Sequence, residues 1–450
     1  MALNPDEMNR RRERREAQRR QQEKERRRLK LTLIAACVVL ALSAFAIVSI
    51  ARGAAQAKQE ALSASVPETE NTTAAPETTA ATASSKRSEP ANTVIHLRAA
   101  GDLNVTNAVI QSGLAVNGYD FTDALLDVAA ELSCGDVTVL NLEGNICGEP
   151  YGTDTTSAPR ELATALKNAG VDLVQMANTY TVKNGIIGLT QTLQQLRSAG
   201  IEPLGAYASN QDFKTTKGYT ICNVGGIKVA FVAFTKGLGG MGLPAGNENC
   251  VNLLYTDYND VYNKVDTKGI TAILDNVAAE KPDVTVAMLH WGSENSENIT
   301  TQQERIITLL QKKGVNVIIG SHPHLLQKIT FSQSAGTLVA YSLGDLIGDA
   351  THAGTNYSII LDVEITKYAD SGTTKVTAFS YVPIYTVKSS ECVAIRQEDA
   401  RRVFRIRDAM SAYEGNYVDR VTADAYAGMQ KALTRIEERI QGKSQETKKS

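Results

Sequence analysis

The chain has 450 residues, a formal net charge of −2 at pH 7 and five histidines. Its length allows more than one domain, and its near-neutral charge gives no indication of nucleic-acid binding, which is typical of chains with a large excess of basic residues. The two ends differ in composition from the middle, which indicates a folded central part with separate terminal segments.

The N-terminal segments predict a membrane anchor. Residues 1–30 are rich in Arg, Lys, Glu and Gln, and residues 31–51 carry no charge. An uncharged helix of this length spans a hydrocarbon layer of about 30 Å at about 1.5 Å per residue. The basic residues before it predict a cytoplasmic leader at 1–30, a single transmembrane helix at 31–51 and a cell-membrane protein with the rest of the chain outside. A cleavable signal peptide, favoured by Ala55-Gln56-Ala57, is the alternative, but the apolar segment and the leader are long for one.

Residues 52–92 consist mostly of Ala, Thr, Ser, Glu and Pro, with few side chains to bury. This composition predicts a disordered extracellular linker, whose mean reach would be on the order of 35 Å. The folded domain is predicted at residues 93–392, and residues 393–450 are predicted to form C-terminal helices, at 399–412 and 422–442, and a polar tail. These helices are predicted to pack on the domain or to bind a partner.

Within the folded domain, short apolar segments alternate with segments of helical periodicity. Near-continuous β-branched or aliphatic runs are typical of strands buried on both faces, and the intervening periodicity predicts helices at 121–132, 190–199 and 304–313. The predicted fold class is therefore α/β, with the ligand crevice beyond the carboxyl ends of the strands. The predicted strands lie at 93–100, 137–140, 171–177, 284–289 and 315–319.

Polar residues that suit a metal ion follow four of these strands: Asp102, Glu143, His290, His322 and His324. Any one of them could be an ordinary strand-end residue, but five at the ends of four apolar runs favour a common site. Imidazole and carboxylate ligands suit Zn, Mn or Fe, and a carboxylate can bridge two ions. The sequence therefore predicts a divalent transition-metal site with one or two ions.

The segment Gly320-Ser321-His322-Pro323-His324 places two imidazoles on either side of a proline that stiffens the backbone. By contrast, His352 is predicted to be a loop residue. Of the six cysteines, Cys37 lies in the predicted membrane helix, which leaves an odd number outside and no Cys-x-x-Cys spacing. One or two disulfides are permitted, but no pairing is predicted.

Several motifs of the central domain resemble the CapA family of bacterial capsule and poly-γ-glutamate synthesis proteins. Their order and spacing match over about residues 94–387. The motifs are Asn141-Leu142-Glu143, Leu289-His290-Trp291-Gly292-Ser293-Glu294, Gly320-Ser321-His322-Pro323-His324 with Gln327, and Ala340-Tyr341-Ser342-Leu343-Gly344.

The resemblance implies a calcineurin-like metallophosphoesterase fold, in which two β-sheets form a sandwich flanked by helices and metals bind at the strand ends. It places all five candidate ligands on metal-site positions. It also implies a bacterial membrane-anchored protein whose partners are a surface polymer or its precursor and membrane-bound polymer synthase subunits.

The chain departs from the family at residues near the predicted site. Thr179 and Tyr180 stand where the family has Asn-His, Asn295 stands where it usually has an aromatic residue, and Asp345-Leu346 replaces Asn-Phe. Tyrosine is a poorer proton donor near neutral pH than histidine, since its usual pKa is about 10. The resemblance also implies that a hydroxyl replaces an amide ligand at Thr179, so we expect one ion to be held better than two.

Two functional hypotheses follow. In the first, the domain is a metal-dependent hydrolase or transferase that acts on the polymer or its precursor. His290 and Tyr180 are catalytic, His290 as a ligand and Tyr180 as the group that orients the substrate. In the second, the same edge of the sheets binds polymer or a synthase partner without catalysis.

Overall fold

The computed structural model describes residues 91–417 and 420–442. The predicted leader (1–30), the predicted membrane helix (31–51) and all but the last two residues of the predicted linker (52–92) lie outside these ranges, as do residues 443–450. Within the described ranges, no helix is both long and apolar enough to cross a bilayer. The membrane anchor therefore stays a prediction.

The described residues form sixteen strands and nine α-helices. The strands are β1 (Thr93–Asn104), β2 (Leu114–Ala115), β3 (Gly118–Tyr119), β4 (Val137–Glu143), β5 (Leu173–Gln175), β6 (Glu202–Leu204), β7 (Thr220–Val224), β8 (Ile227–Thr235), β9 (Val284–His290), β10 (Val317–Ser321), β11 (Ile329–Ser332), β12 (Thr337–Ala340), β13 (Asp345–Ile347), β14 (Tyr357–Lys367), β15 (Thr374–Lys388) and β16 (Arg401–Arg405). The helices are α1 (Asn107–Ser112), α2 (Thr122–Ser133), α3 (Glu161–Asn168), α4 (Gly185–Ser198), α5 (Asn210–Thr216), α6 (Thr267–Ala279), α7 (Thr301–Lys312), α8 (Ile406–Glu414) and α9 (Ala423–Ile440).

The strands form two large sheets. The larger has the order β16-β15-β14-β1-β4-β5-β6, with β13 beside β1, and the smaller has the order β11-β12-β10-β9-β8-β7. Strands β1, β4, β5 and β6 are parallel, and so are β8, β9, β10 and β12. Parallel strands need crossover connections, which helices supply except between β10 and β12, where β11 intervenes.

The central strands of the smaller sheet are buried on both faces, as the apolar runs of β9 and β10 predict. In β8, Phe231 belongs to the core shared with the larger sheet, whereas Val232 belongs to a second core that includes Ile270 of α6 and Ile306 of α7. Successive side chains of a strand point to opposite faces, so the β8 residues from Val229 to Phe234 alternate between the two cores. The two-sheet α/β sandwich flanked by helices agrees with the predicted fold class.

The C-terminal region corrects one prediction. Residues 401–405, predicted as the start of a helix, form β16, which pairs with β15 inside the larger sheet, so the sheet continues beyond the predicted boundary at residue 392. Two charged side chains of β16 contact α2: Arg402 Nε lies 2.6 Å from Asp127 Oδ2, and Arg405 Nη1 lies 3.0 Å from Glu131 Oε1. Pairing with β15 also satisfies backbone groups that an open edge would leave exposed.

Four of the described cysteines do not form disulfides. Among the described residues, Cys134, Cys147, Cys222 and Cys250 are free thiols. The disulfides that the sequence permits are therefore not made by these four residues.

Candidate metal centre

All five predicted ligands lie together at the carboxyl ends of parallel strands in the two sheets. Asp102 lies in β1, Glu143 ends β4, His290 ends β9, and both His322 and His324 follow β10. Four of the five are buried, and the His324 side chain is 13% exposed. The strands of both sheets end at the same edge, and this brings together residues that are up to 222 positions apart, from Asp102 to His324.

The ligands form two groups of three that share Glu143. Subsite 1 consists of Asp102, Glu143 and His324, and subsite 2 consists of Glu143, His290 and His322. Within each group, one ligand atom from each residue lies within 4.8 Å of the others. This arrangement is compatible with two neighbouring ions that share a carboxylate.

Subsite 1 is held by a network of short contacts. Asp102 Oδ1 accepts a hydrogen bond from Asn141 Nδ2 at 2.7 Å, and Asp102 Oδ2 accepts one from the His322 backbone N–H at 3.1 Å. His324 Nδ1 lies 3.4 Å from Asp102 Oδ2, and His324 Nε2 lies 3.7 Å from Glu143 Oε2. The three side chains are thus fixed close together before any ion is considered.

Two buried atoms of the centre fit a cation. Glu143 Oε2 and His322 Nδ1 have no hydrogen-bond partner among the described residues. Leaving a buried polar atom unpaired costs about 1–3 kcal/mol, and more for a charged group. A carboxylate oxygen is an electron-pair donor that divalent transition metals accept, and the imidazole nitrogen is one in the tautomer that leaves it without a proton, so the donor set fits a metal ion.

Burial and neighbouring groups shift the pKa values of the ligands. Burial alone would raise the pKa of Asp102, but His324, His290 and Asn141 lower it overall. Burial, His290 and Lys236 lower the pKa of His322 well below 6.5. His322 is therefore neutral at pH 7, the form in which an imidazole can bind a metal.

The pKa of His324 shifts in the opposite direction. The largest upward contribution comes from Asp345, which was not predicted as a site residue. Burial alone would lower the pKa of His324, but Asp345, Glu143 and Asp102 raise it well above 6.5. His324 Nδ1 donates to Asp345 Oδ1 at 2.8 Å, and Asn104 Nδ2 lies 3.3 Å from the same nitrogen. A carboxylate behind a ligating histidine fixes its orientation and makes it a stronger ligand.

Asp345 reaches the site through strand register. It begins β13, a three-residue strand, and pairs with Asp102 of β1. Burial raises the pKa of Asp345 to about 7, although His324 opposes the shift. The only sequence signal was the replacement of the family's asparagine by Asp345, because so short a strand leaves no hydrophobic pattern.

The two residues that replace the family's Asn-His pair also lie at the centre. Thr179 Oγ1 lies 2.9 Å from His290 Nε2, within hydrogen-bond distance. The preceding Asn178 does not substitute as a ligand, because its Nδ2 donates to the Leu142 carbonyl at 2.7 Å and its Oδ1 accepts from the Tyr180 N–H at 3.0 Å. Asn178 therefore holds the Thr179-Tyr180 turn against β4.

A cleft of about 320 Å³ opens onto the centre. Tyr180 and His352 both line it, so the structure places at the cleft a histidine that the sequence suggested only as a loop residue. Burial raises the pKa of Tyr180, and Glu143 and Glu294 raise it further. The charged or ligating residues of the lining are Glu143, Glu294, His324, Asp345, Asp349 and His352.

The backbone of the 320–324 segment is tightly constrained. His322 has φ +90° and His324 has φ +58°, conformations that cost non-glycine residues about 1–3 kcal/mol each and persist where the surroundings enforce them. A β-carbon at Gly320 would overlap the backbone oxygen of Tyr341 and approach Trp291 Nε1. The imidazoles are therefore positioned by a segment with no room for a larger residue.

We expect Gly320→Ala to lower the free energy of unfolding by about 3 kcal/mol, because the overlapping atoms belong to backbone that cannot move cheaply. Gly242→Ala is the matched control, since no atom lies within 4 Å of its added β-carbon and its φ is not in the left-handed region. That control should change stability by less than about 1 kcal/mol. Denaturant unfolding measures both, and equal effects would contradict the close packing described for Gly320.

Ion binding is expected to release a proton near neutral pH, because a protonated His324 has no free electron pair for a metal. The pKa of His324 is raised well above 6.5, so below this pKa an ion must displace the proton. The metal affinity should then fall by up to about tenfold for each unit by which the pH decreases. Isothermal titration calorimetry in buffers of different ionisation enthalpy counts the protons. Asp345→Asn removes a carboxylate that raises this pKa and should reduce the release; an unchanged count would contradict the assigned role of Asp345.

The family model described as "Bacterial capsule synthesis protein PGA_cap" matches residues 96–350, which is more than half of the chain. The chain belongs to this family. The matched range contains all five candidate ligands together with Asp345, so the predicted relationship to CapA-type capsule proteins is confirmed.

Two curated relatives are named for capsule or PGA biosynthesis. The chain is 27% identical over 249 residues to "Capsule biosynthesis protein CapA" of Bacillus anthracis, which covers 55% of this chain and 56% of that protein. It is 23% identical over 269 residues to "PGA biosynthesis protein CapA" of Bacillus subtilis (strain 168), covering 58% of this chain and 66% of that protein. The chain thus spans less than two thirds of the length of either relative.

Among solved structures, the calcineurin-like phosphoesterase YfkN from Bacillus subtilis aligns with 65% of this chain and 91% of its own, at 17% identity and a TM-score of 0.39. The sandwich architecture rests on the strand pairing described above.

Proposed function

We propose that this protein is a membrane-anchored, extracellular member of the capsule and poly-γ-glutamate synthesis machinery, and that its folded domain is a metal-dependent hydrolase. Membership of the PGA_cap family supports the first part, together with the curated relatives that are named for capsule and PGA biosynthesis. The uncharged segment at 31–51, with basic residues before it, supports a single membrane span with a cytoplasmic N-terminus.

The observation that carries the hydrolase proposal is the buried, unpartnered Glu143 Oε2 in a carboxylate shared by two histidine-containing groups. In this proposal Asp102, Glu143 and His324 hold an ion in subsite 1, while His290 and His322 complete subsite 2. When bound, a divalent ion such as Mn²⁺, Fe²⁺ or Zn²⁺ supplies polarisation of a phosphoryl or acyl oxygen and acidification of water.

Tyr180 and His290 have different roles in this proposal. Tyr180 lines the cleft next to Glu143 and offers a hydroxyl that holds a substrate oxygen by hydrogen bonding. His290 is buried and acts by holding the shared carboxylate: its Nε2 lies 3.4 Å from Glu143 Oε1. The proposed substrate is the surface polymer or its lipid-linked or peptide precursor, handled beside membrane-bound synthase subunits.

Deleting the gene in the source bacterium tests this proposal. We expect loss of most cell-surface anionic polymer, measured by capsule staining and by assay of released polymer. Re-expression of the full-length protein should restore it, whereas full-length His324→Ala, produced at the same level, should not. Unchanged polymer after deletion would contradict the biosynthetic role.

A second candidate is a non-catalytic domain that binds polymer or a synthase partner. The observation that favours it is the replacement of the family's Asn-His pair by Thr179 and Tyr180, since loss of general-acid help typically costs about 10²- to 10⁴-fold in rate. In the same complementation experiment, full restoration of polymer by His324→Ala would support this candidate and contradict the hydrolase.

A further inference from the structure

A lysine lies directly behind one of the ligands of subsite 2. Lys236 follows β8, and its Nζ is 3.5 Å from His322 Nε2. The same Nζ donates to the Gly292 carbonyl at 2.7 Å and lies 4.6 Å from the centre of the Tyr262 ring. These contacts fix a positive charge against the imidazole rather than leaving the side chain free to turn into solvent.

This contact opposes metal binding by His322. An ammonium group has three hydrogen atoms and no electron pair, so it contacts Nε2 favourably only by donating to it. The proton of the neutral ring then lies on Nδ1, the buried atom without a partner, which leaves no electron pair there for an ion. If an ion binds Nδ1, the ring proton must lie on Nε2, where it faces the hydrogen atoms of the ammonium group. If an ion binds Nε2, Lys236 must move away.

The group that Lys236 places beside His322 is unusual for a metal ligand, since its Nζ lies 3.5 Å from His322 Nε2. Metal-ligating histidines ordinarily place a carboxylate, a carbonyl or water at this position, so an ammonium here is the reverse of the usual arrangement.

The other histidine of subsite 2 is also engaged by protein groups. His290 Nε2 lies 2.9 Å from Thr179 Oγ1, and His290 Nδ1 lies 3.2 Å from Ser321 Oγ. An ion in subsite 2 would therefore compete with hydrogen bonds at His290 as well as with the lysine at His322. In subsite 1, by contrast, the group behind His324 is the carboxylate of Asp345.

The two subsites also differ in their access to the cleft, and this difference again favours subsite 1. Glu143 and His324 of subsite 1 line the cleft, together with Asp345. Neither His290 nor His322 is among the lining residues in the part of the chain that the structure describes. A substrate in the cleft would thus meet subsite 1 first.

We propose that the centre binds one divalent cation tightly, in subsite 1, and that Lys236 and Thr179 prevent subsite 2 from binding a second cation with similar affinity. This inference rests on the proposed metal-dependent function. It distinguishes the chain from a centre of two equivalent ions, and it assigns the difference to two residues that lie outside both ligand groups.

Mn²⁺ titration of the full-length protein in detergent, followed by calorimetry and by electron paramagnetic resonance, tests the inference without an activity assay. The wild-type protein should bind one ion, with a second at least about 100-fold weaker, and should give the spectrum of isolated Mn²⁺. Lys236→Met should strengthen the second ion by about 10- to 100-fold, the range typical of groups behind metal ligands. The paired-ion spectrum should then appear.

Two further variants keep the test independent of one substitution. Thr179→Asn restores an amide and should strengthen the second ion in the same direction. Lys328→Met is the matched control, because Lys328 Nζ also lies 4.6 Å from the centre of a tyrosine ring, that of Tyr341, but contacts neither subsite among the described residues. It should leave both affinities unchanged.

Two outcomes would overturn the inference while leaving the proposed function intact: two ions of comparable affinity in the wild-type protein, or a second affinity that neither Lys236→Met nor Thr179→Asn changes in folded protein. A wild-type protein that binds no ion would overturn the proposed hydrolase together with this inference. His322→Ala and His324→Ala separate the subsites, since only His324→Ala should remove the tight ion.

Discussion

Glu143→Gln is expected to weaken Mn²⁺ binding by at least about 100-fold, because Glu143 is the one residue shared by both ligand groups. The substitution removes the negative charge and replaces an oxygen with an amide nitrogen, which cannot donate an electron pair to a metal. Glu143 also raises the pKa of His324, so the metal-free variant should be less stable than the wild type at pH values below that raised pKa. Calorimetric titration and thermal unfolding measure the two effects.

Glu294→Gln is the matched control for this prediction. Glu294 lines the same cleft but belongs to neither ligand group. Its substitution should change Mn²⁺ affinity by less than about tenfold, because a carboxylate that does not bind the ion affects the affinity less than a ligand does. Equal losses in the two variants would mean that the general negative charge of the cleft, rather than the shared carboxylate, attracts the ion.

Tyr180→His is expected to increase the rate of phosphate-ester hydrolysis by about 10²-fold, the lower end of the range for general acid catalysis. Burial, Glu143 and Glu294 raise the pKa of Tyr180, which makes its hydroxyl a still weaker acid. Histidine at the same place titrates near neutral pH and can donate a proton to a leaving group. Hydrolysis of a chromogenic phosphate monoester and diester in the presence of Mn²⁺ measures the change.

The control for this gain is Tyr151→His, because Tyr151 lines a separate surface pocket. It should not alter the rate. A Tyr180→His variant that binds Mn²⁺ normally but hydrolyses neither ester faster would show that the proton donor at position 180 does not limit the reaction. That result would favour the non-catalytic candidate.

The parts of the site that follow apolar strands could be predicted from the sequence. Buried parallel strands combine long aliphatic runs with polar residues at their carboxyl ends, so the positions of Glu143 and His290 follow from local pattern. The order of the motifs then indicated the family. The two-sheet sandwich came from that resemblance rather than from the strand pattern, because hydrophobic periodicity does not say which strands pair.

The residues that distinguish the two subsites could not be predicted in this way. Asp345 reaches His324 only through its register with Asp102, and Lys236 reaches His322 only because β8 ends beside β9. Both are contacts between distant parts of the chain, made by single polar residues without a motif. Likewise, residues 401–405 were predicted to be helical from their spacing, because a local pattern does not reveal their pairing with β15 or the contacts of Arg402 and Arg405 with α2.

The central claim is that Asp102, Glu143 and His324 bind a divalent cation. A crystal structure of the full-length protein grown with Mn²⁺, with data collected on both sides of the manganese absorption edge, tests it most directly. We predict an anomalous peak within about 2.0–2.3 Å of oxygen or nitrogen atoms of all three residues, and a much weaker peak or none between His290 and His322. The absence of a peak at these three residues, with Mn²⁺ in excess, would contradict the claim.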